Sequence, residues 1–275
     1  MKIASAVLIM VLALFSAQTT TNFVPVTDSM LEKPDPGDWL MWRRTLDGWG
    51  YSPLNEINKQ NVARLEVVWK RGMAPGVQEA TPLVYRGVLY LPNPSDLVQA
   101  INASTGDLIW EYRRKLPDDV TKFLIVPSIN RNLAIYGNLI IDTSVDDFVY
   151  ALDATTGKLA WENRIVDYRE DSAQETSGPI IANGKIISGR GCEYKATPDG
   201  CIITAHDAKT GKELWRKNAI DFKTGYSMTV APLVADGVVI TPEGKPADFD
   251  SDNYFIRDGI VIVPKNAVIP AGFWI

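Results

Sequence analysis

Three copies of one motif, Ala-x-(Asp/Asn)-Ala-x-Thr-Gly-x-x-x-Trp, constrain this chain more than any other feature. They end at Trp110, Trp161 and Trp215, spaced by 51 and 54 residues. Each is preceded by an apolar segment broken by a glycine: TPLVYRGVLYL (81–91), IYGNLIIDTS (135–144) and GPIIANGKIISG (178–189). Such runs read as hairpins. The VYALD-type run that follows reads as a third strand, and the Trp-bearing run as a fourth. In the turn between them, Asn102 or Asp153 can accept backbone N–H groups, and Gly106, Gly157 and Gly211 can supply a positive φ. Four strands at a period of about 50 residues specify β-propeller blades. The indole, recurring at one place, is expected as a wedge between blades, with its N–H bonded to a neighbour's carbonyl. His206 stands where Ile101 and Leu152 stand in the other copies, so it is expected to be an ordinary strand residue. A fourth copy starts at APLVADGVVIT (231–241) and reaches neither its Thr-Gly nor its Trp.

Residues 1–17 have the form of a cleaved export signal: Lys2, an apolar run over 3–15, then Ser16-Ala17. That run is short for a membrane span, and no cysteine follows it for lipid attachment. Residues 18–37 are expected to be an irregular leader, 38–242 a partial propeller of about three to four blades, and 243–275 an unrelated tail. The net charge of −5, with scattered Lys and Arg, argues against a nucleic-acid footprint. No dinucleotide-binding fingerprint is present, which argues against NAD. Cys192 and Cys201 are either bridged, as suits an exported chain, or two separate buried thiols. Nine residues apart with no histidine partner, they are poorly spaced for a metal.

Several stretches between the copies go beyond a generic propeller. They are YSPLNEINKQNV (51–62) with an expected strand over 65–69, EATPLV (79–84), Asn130-Arg131, ETSGP (175–179) and GRGCE (189–193). On these residues the chain resembles the amino-terminal part of the quinoprotein alcohol dehydrogenases. That family consists of periplasmic eight-bladed propellers that bind pyrroloquinoline quinone (PQQ) and Ca²⁺. The resemblance implies that Glu79, Arg131, Thr176, Arg190, Gly191 and Cys192 contribute to the cofactor site and that Glu193 ligates Ca²⁺. A guanidinium fork suits a planar carboxylate, and Ca²⁺ prefers oxygen ligands. It also implies oxidation of CH–OH substrates, with electrons passing to a cytochrome c or a membrane quinone.

There are departures from the family. Its adjacent-cysteine ring is absent, because the corresponding region reads LIVPSI (124–129). The family's catalytic Asp and its PQQ-stacking Trp belong to later blades, so the chain alone is expected to be inactive. The alternative is a non-enzymatic propeller scaffold of the periplasm. In the tail, Ile256, Ile262, Val268 and Trp274 repeat every six residues, a β-helix-like period. The string YFIRDGIVIVPKNAVIPAG (254–272) resembles the carboxyl end of glucose-1-phosphate adenylyltransferases. Without a Gly-rich nucleotide loop it implies no transferase activity.

Overall fold

In a computed structural model of the chain, the structure describes residues 23–46, 48–124, 129–171, 176–191, 201–219, 246–252, 254–257 and 260–262. The three repeat copies form three separate four-stranded antiparallel sheets. Blade A holds β1 (Leu83–Tyr85), β2 (Val88–Asn93), β3 (Leu97–Asn102) and β4 (Leu108–Arg113). Blade B holds β5 (Ala134–Tyr136), β6 (Leu139–Thr143), β7 (Phe148–Asp153) and β8 (Leu159–Arg164). Blade C holds β9 (Ile180–Ala182), β10 (Lys185–Gly189), β11 (Ile202–Asp207) and β12 (Glu213–Asn218). In every blade, strands adjacent in sequence are adjacent in the sheet. The fourth copy at 231–241 lies outside the described residues.

Burial follows position in the blade. The third strands β3 and β7 are almost wholly buried, whereas the outer strands β4, β8 and β12 expose most of their residues. The first strands face the inner side, where Thr81 N donates to Arg131 O (2.8 Å) in a parallel bridge between blades A and B. One core cluster joins Leu83, Tyr90, Ile135, Ile140, Tyr150, Leu152 and Ile186 across all three blades.

The repeated turn behaves as its residues require. Asp153 Oδ1 accepts from Thr155 N, Thr156 N and Thr156 Oγ1. Asp207 does the same with Lys209 and Thr210, and Asn102 with Ser104 and Thr105. Gly106, Gly157 and Gly211 have φ of 77°, 70° and 70°. Each turn is also the seat of a tryptophan from earlier in the chain. Trp110 packs on Gly157 and donates from Nε1 to Ala154 O (2.9 Å). Trp161 packs on Gly211, but its buried Nε1 has no partner among the described residues. Trp69 packs on Gly106 and donates to Ala103 O (3.0 Å). Trp69, outside the three full motifs, is thus the third wedge among the described residues, while Trp215 is exposed on β12.

Two expectations change. The run 65–69 is not a strand. A strand needs a ladder, and among the described residues nothing pairs with it: Val67 and Val68 are 83% and 89% exposed. Only its terminal indole is docked. In the tail, β13 (Phe249–Asp250), β14 (Phe255–Arg257) and β15 (Ile260–Ile262) form an antiparallel sheet, not a β-helix coil. Ile256 pairs with Val261 and Phe255 with Ile262, so the six-residue step returns along an antiparallel partner and does not advance one coil.

The leader is fastened to the blades. It carries α1 (Asp28–Glu32) and ties three hairpin turns together. Arg86 N donates to Asp38 Oδ1 in blade A, Val26 and Gly137 exchange backbone bonds in blade B, and Gly184 N donates to Asp28 Oδ1 in blade C. These turns lie at the end of the blades opposite the residues that precede the first strands.

Candidate cofactor site at the inner ends of the blades

The segments leading into β1, β5 and β9 lie side by side. They are Glu79-Ala80-Thr81, Asn130-Arg131-Asn132 and Thr176-Ser177-Gly178. Thr81 N reaches Arg131 O on one side, and Asn132 Nδ2 donates to Ser177 O (2.5 Å) on the other. Gly178, at φ 75°, lets the third segment nest, since a Cβ there would stand 2.4 Å from Asn132 O.

On this base Arg131 spans its neighbours. Its Nε donates to Glu79 Oε2 (2.7 Å), and its Nη1 donates to Thr176 Oγ1 and Thr176 O. Three of the seven sequence-derived site residues therefore meet. The Arg131 and Glu79 side chains are 28% and 38% exposed. An ion pair that open to water adds at most about 1 kcal/mol of stability. What it contributes is placement: a guanidinium, a carboxylate and a hydroxyl collected at one partly open inner edge.

Behind this edge lies a buried acid that sequence reasoning did not assign. Asp142 accepts Asn130 Nδ2 (2.7 Å) and Tyr150 Oη (2.7 Å) on Oδ2, and Thr143 N (2.8 Å) on Oδ1. Burial raises its carboxyl to about 6, against the pull of those three donors. Nearby Asp96 accepts Val145 N (3.0 Å) on Oδ2, while its buried Oδ1 has no partner among the described residues. Burial first, and the charge of Asp142 second, push Asp96 well above the usual carboxylate range. The signal was present in the sequence: an acid interrupts the apolar strand Leu139-Ile-Ile-Asp-Thr143.

Arg190 is engaged with other partners. The buried Arg190 guanidinium forks onto Asp147, with Nε at 3.0 Å and Nη2 at 2.8 Å, and Nη2 also reaches Asp171 O (3.4 Å). It makes no hydrogen bond to Glu79, Arg131 or Thr176. Its fork joins blades B and C from within. Gly191 is buried at the end of the β10 ladder. Cys192 and Glu193 lie outside the described residues. Cys201 is disulfide-bonded, and the chain's other cysteine is Cys192. Two separate thiols are thereby excluded. Among the described residues no group of three His, Cys, Asp or Glu could hold a metal. His206 is buried in β11 with neither ring nitrogen hydrogen-bonded among the described residues, and burial lowers it to about 4.

The family described as glucose/ethanol/alcohol dehydrogenase, beta-propeller domain, matches residues 39–233. The chain belongs to the PQQ-dependent, or quinoprotein, alcohol dehydrogenase family. Quinoprotein alcohol dehydrogenase PedH of Pseudomonas putida is 33% identical over 204 residues, which is 73% of this chain and 33% of that protein. The 1-butanol dehydrogenase (quinone) of Thauera butanivorans is 31% identical over 217 residues, 76% of this chain and 33% of that protein. Among solved structures, quinohemoprotein alcohol dehydrogenase ADHIIG of Pseudomonas putida HK5 superposes with a TM-score of 0.63 at 33% identity, covering 70% of this chain and 29% of that one. A europium-containing methanol dehydrogenase superposes at 0.60 with 26% identity, covering 69% and 33%. The chain spans about a quarter to a third of the length of the curated relatives it matches. The shared part of this quinoprotein family is thus the run of blades that brings Glu79, Arg131 and Thr176 together.

Proposed function

We propose that this chain forms part of the cofactor-binding wall of a periplasmic, PQQ- and Ca²⁺-dependent dehydrogenase that oxidises CH–OH groups of alcohols. The observation that carries the reading is the Glu79–Arg131–Thr176 cluster at the inner ends of three consecutive blades. The donor set fits the cofactor. PQQ is planar and bears carboxylates, which a guanidinium binds as a fork. Thr176 offers a hydroxyl, and Glu79 a carboxylate that holds Arg131 in place and can accept from the cofactor. Gly191 and Cys192 would border the same site. Glu193 would ligate Ca²⁺, a hard cation suited to carboxylate oxygen. When bound, PQQ supplies a two-electron acceptor and Ca²⁺ polarises its carbonyl. Residues of this chain would bind and orient the cofactor. We assign no proton-abstracting base to them and expect no turnover from this chain alone. The electron acceptor would be a cytochrome c or a membrane quinone. Periplasmic export rests on the signal-like residues 1–17. Among the described residues no helix is long and apolar enough to cross a membrane.

The test is a titration of the full chain with PQQ, with and without Ca²⁺, followed by melting temperature and tryptophan fluorescence. Binding at a hundredfold over the dissociation constant raises stability by about 2.7 kcal/mol. Arg131→Gln is expected to weaken binding at least tenfold while leaving the unliganded melting temperature within a few degrees. No shift at saturating PQQ and Ca²⁺ would refute the reading.

A further inference from the structure

Arg131 belongs to an extended segment whose flanking residues are both sunk into the protein. Asn130 and Asn132 are 4% and 6% exposed. Alternate residues of an extended chain face opposite ways. Burying Asn130 and Asn132 on one side therefore turns Arg131 to the other, more open side. The two asparagines are held by different blades. Asn130 Nδ2 donates to Asp142 within its own blade, and Asn132 Nδ2 donates to Ser177 O in the next. Ser177 follows Thr176, whose hydroxyl and carbonyl receive Arg131 Nη1. On the other flank, Thr81 N bonds Arg131 O, two residues from Glu79, which receives Arg131 Nε. The Thr81–Arg131 backbone bond and the Asn132–Ser177 amide bond thus align the three segments, and the side-chain contacts of Arg131 repeat the same alignment.

We infer that Asn132 is a positioning residue for Arg131: its amide, bonded to Ser177 O across the blade boundary, fixes the spacing at which the guanidinium can hold Glu79 and Thr176 together. The functional meaning of this spacing rests on the cofactor reading proposed above. An amide is required for chemical reasons. Ser177 O is an acceptor, so only a donor can face it. An aspartate at 132 would set a carboxylate against a carbonyl oxygen, and an alanine would remove the bond that crosses the blade boundary. Gly178 supports the same contact, because any side chain there would press on Asn132 O. An arginine side chain free to sample its rotamers loses entropy on being held. Fixing its base in advance lowers the cost of binding an anion.

Two measurements test this in the full chain. The first needs no ligand. The ¹⁵Nε–H signal of Arg131, assigned by its loss in Arg131→Lys, is expected to exchange slowly with water because Glu79 holds it. Asn132→Ala and the milder Asn132→Ser should speed that exchange roughly tenfold. Glu79→Gln should do so as well, while Asn61→Ala, at a remote site, should not. The second is a double-mutant cycle on PQQ binding. Asn132→Ser should weaken binding roughly tenfold in the parent and have no further effect in the Arg131→Gln background. Unchanged Nε–H protection in a folded Asn132→Ser protein overturns the inference. So does an Asn132→Ser effect that persists at full size without Arg131. Altered protection in a protein that binds no PQQ would sustain the positioning role and overturn only the cofactor reading.

Discussion

Gly157→Ala separates the two demands that the repeated Thr-Gly turn makes on its glycine. The first is backbone: φ is 70°, in the left-handed region, where a Cβ costs about 1–2 kcal/mol. The second is space: the new Cβ would stand 2.5 Å from Trp110 Cε3 and 2.7 Å from Cδ2. Trp110 is buried and cannot yield without disturbing its Nε1 bond to Ala154 O, which also accepts Tyr90 Oη. Overpacking of this kind costs about 1–3 kcal/mol, and the strained hydrogen bond about 1 kcal/mol more. The expected loss is about 3–6 kcal/mol. Gly87→Ala is the control: φ is 78°, but nothing lies within 4 Å of its Cβ. It should lose only the backbone part, about 1–2 kcal/mol. Urea unfolding followed by tryptophan fluorescence would measure both, and near-ultraviolet circular dichroism would report the indole. If the two alanine variants lose equal stability, with the Trp110 signal unchanged, the wedge is not what the glycine serves.

The same geometry makes two further predictions. Trp110→Phe removes a satisfied N–H, whereas Trp161→Phe removes one that is buried without a partner. The first should therefore cost about 1 kcal/mol more than the second in parallel unfolding curves. Replacing His206 by Leu, the residue that blade B carries as Leu152, should stabilise the protein and flatten its acid response. Burial lowers the folded-state value from 6.5 to about 4, so the folded form binds fewer protons than the unfolded one. Stability is thus lost as pH falls from about 6.5 towards 4, by roughly 3 kcal/mol across that window. The leucine variant should not show this loss, and a parent whose stability is level across that window would contradict the assignment.

Much of the architecture was legible because the repeat encodes it locally. The Asn or Asp that closes the turn, the glycine that follows and the Trp four residues on all act within one short stretch, so three copies disclose three blades. Glu79, Arg131 and Thr176 were legible only through the family resemblance, since each taken alone is an ordinary loop residue. Arg190 sat in the same kind of motif, yet its fork is taken up by Asp147 of the preceding blade, a pairing 43 residues away that no local pattern discloses. The run 65–69 looked like a strand by composition, but strand formation depends on a neighbour's backbone, which sequence does not supply.

By itself the sequence determined the blade count among the described residues, the turn chemistry and the family, because period and turn residues are short-range properties. Only the tertiary structure decided which charges meet. Arg131 reaches Glu79 and Thr176, 52 and 45 residues distant, because three first strands lie side by side and nest at Gly178. Asp142 and Asp96 depart from ordinary carboxylates because the packed blades exclude water from both. A charge's partner and its solvation are set by what the fold brings around it, and neither is written in the residues beside it.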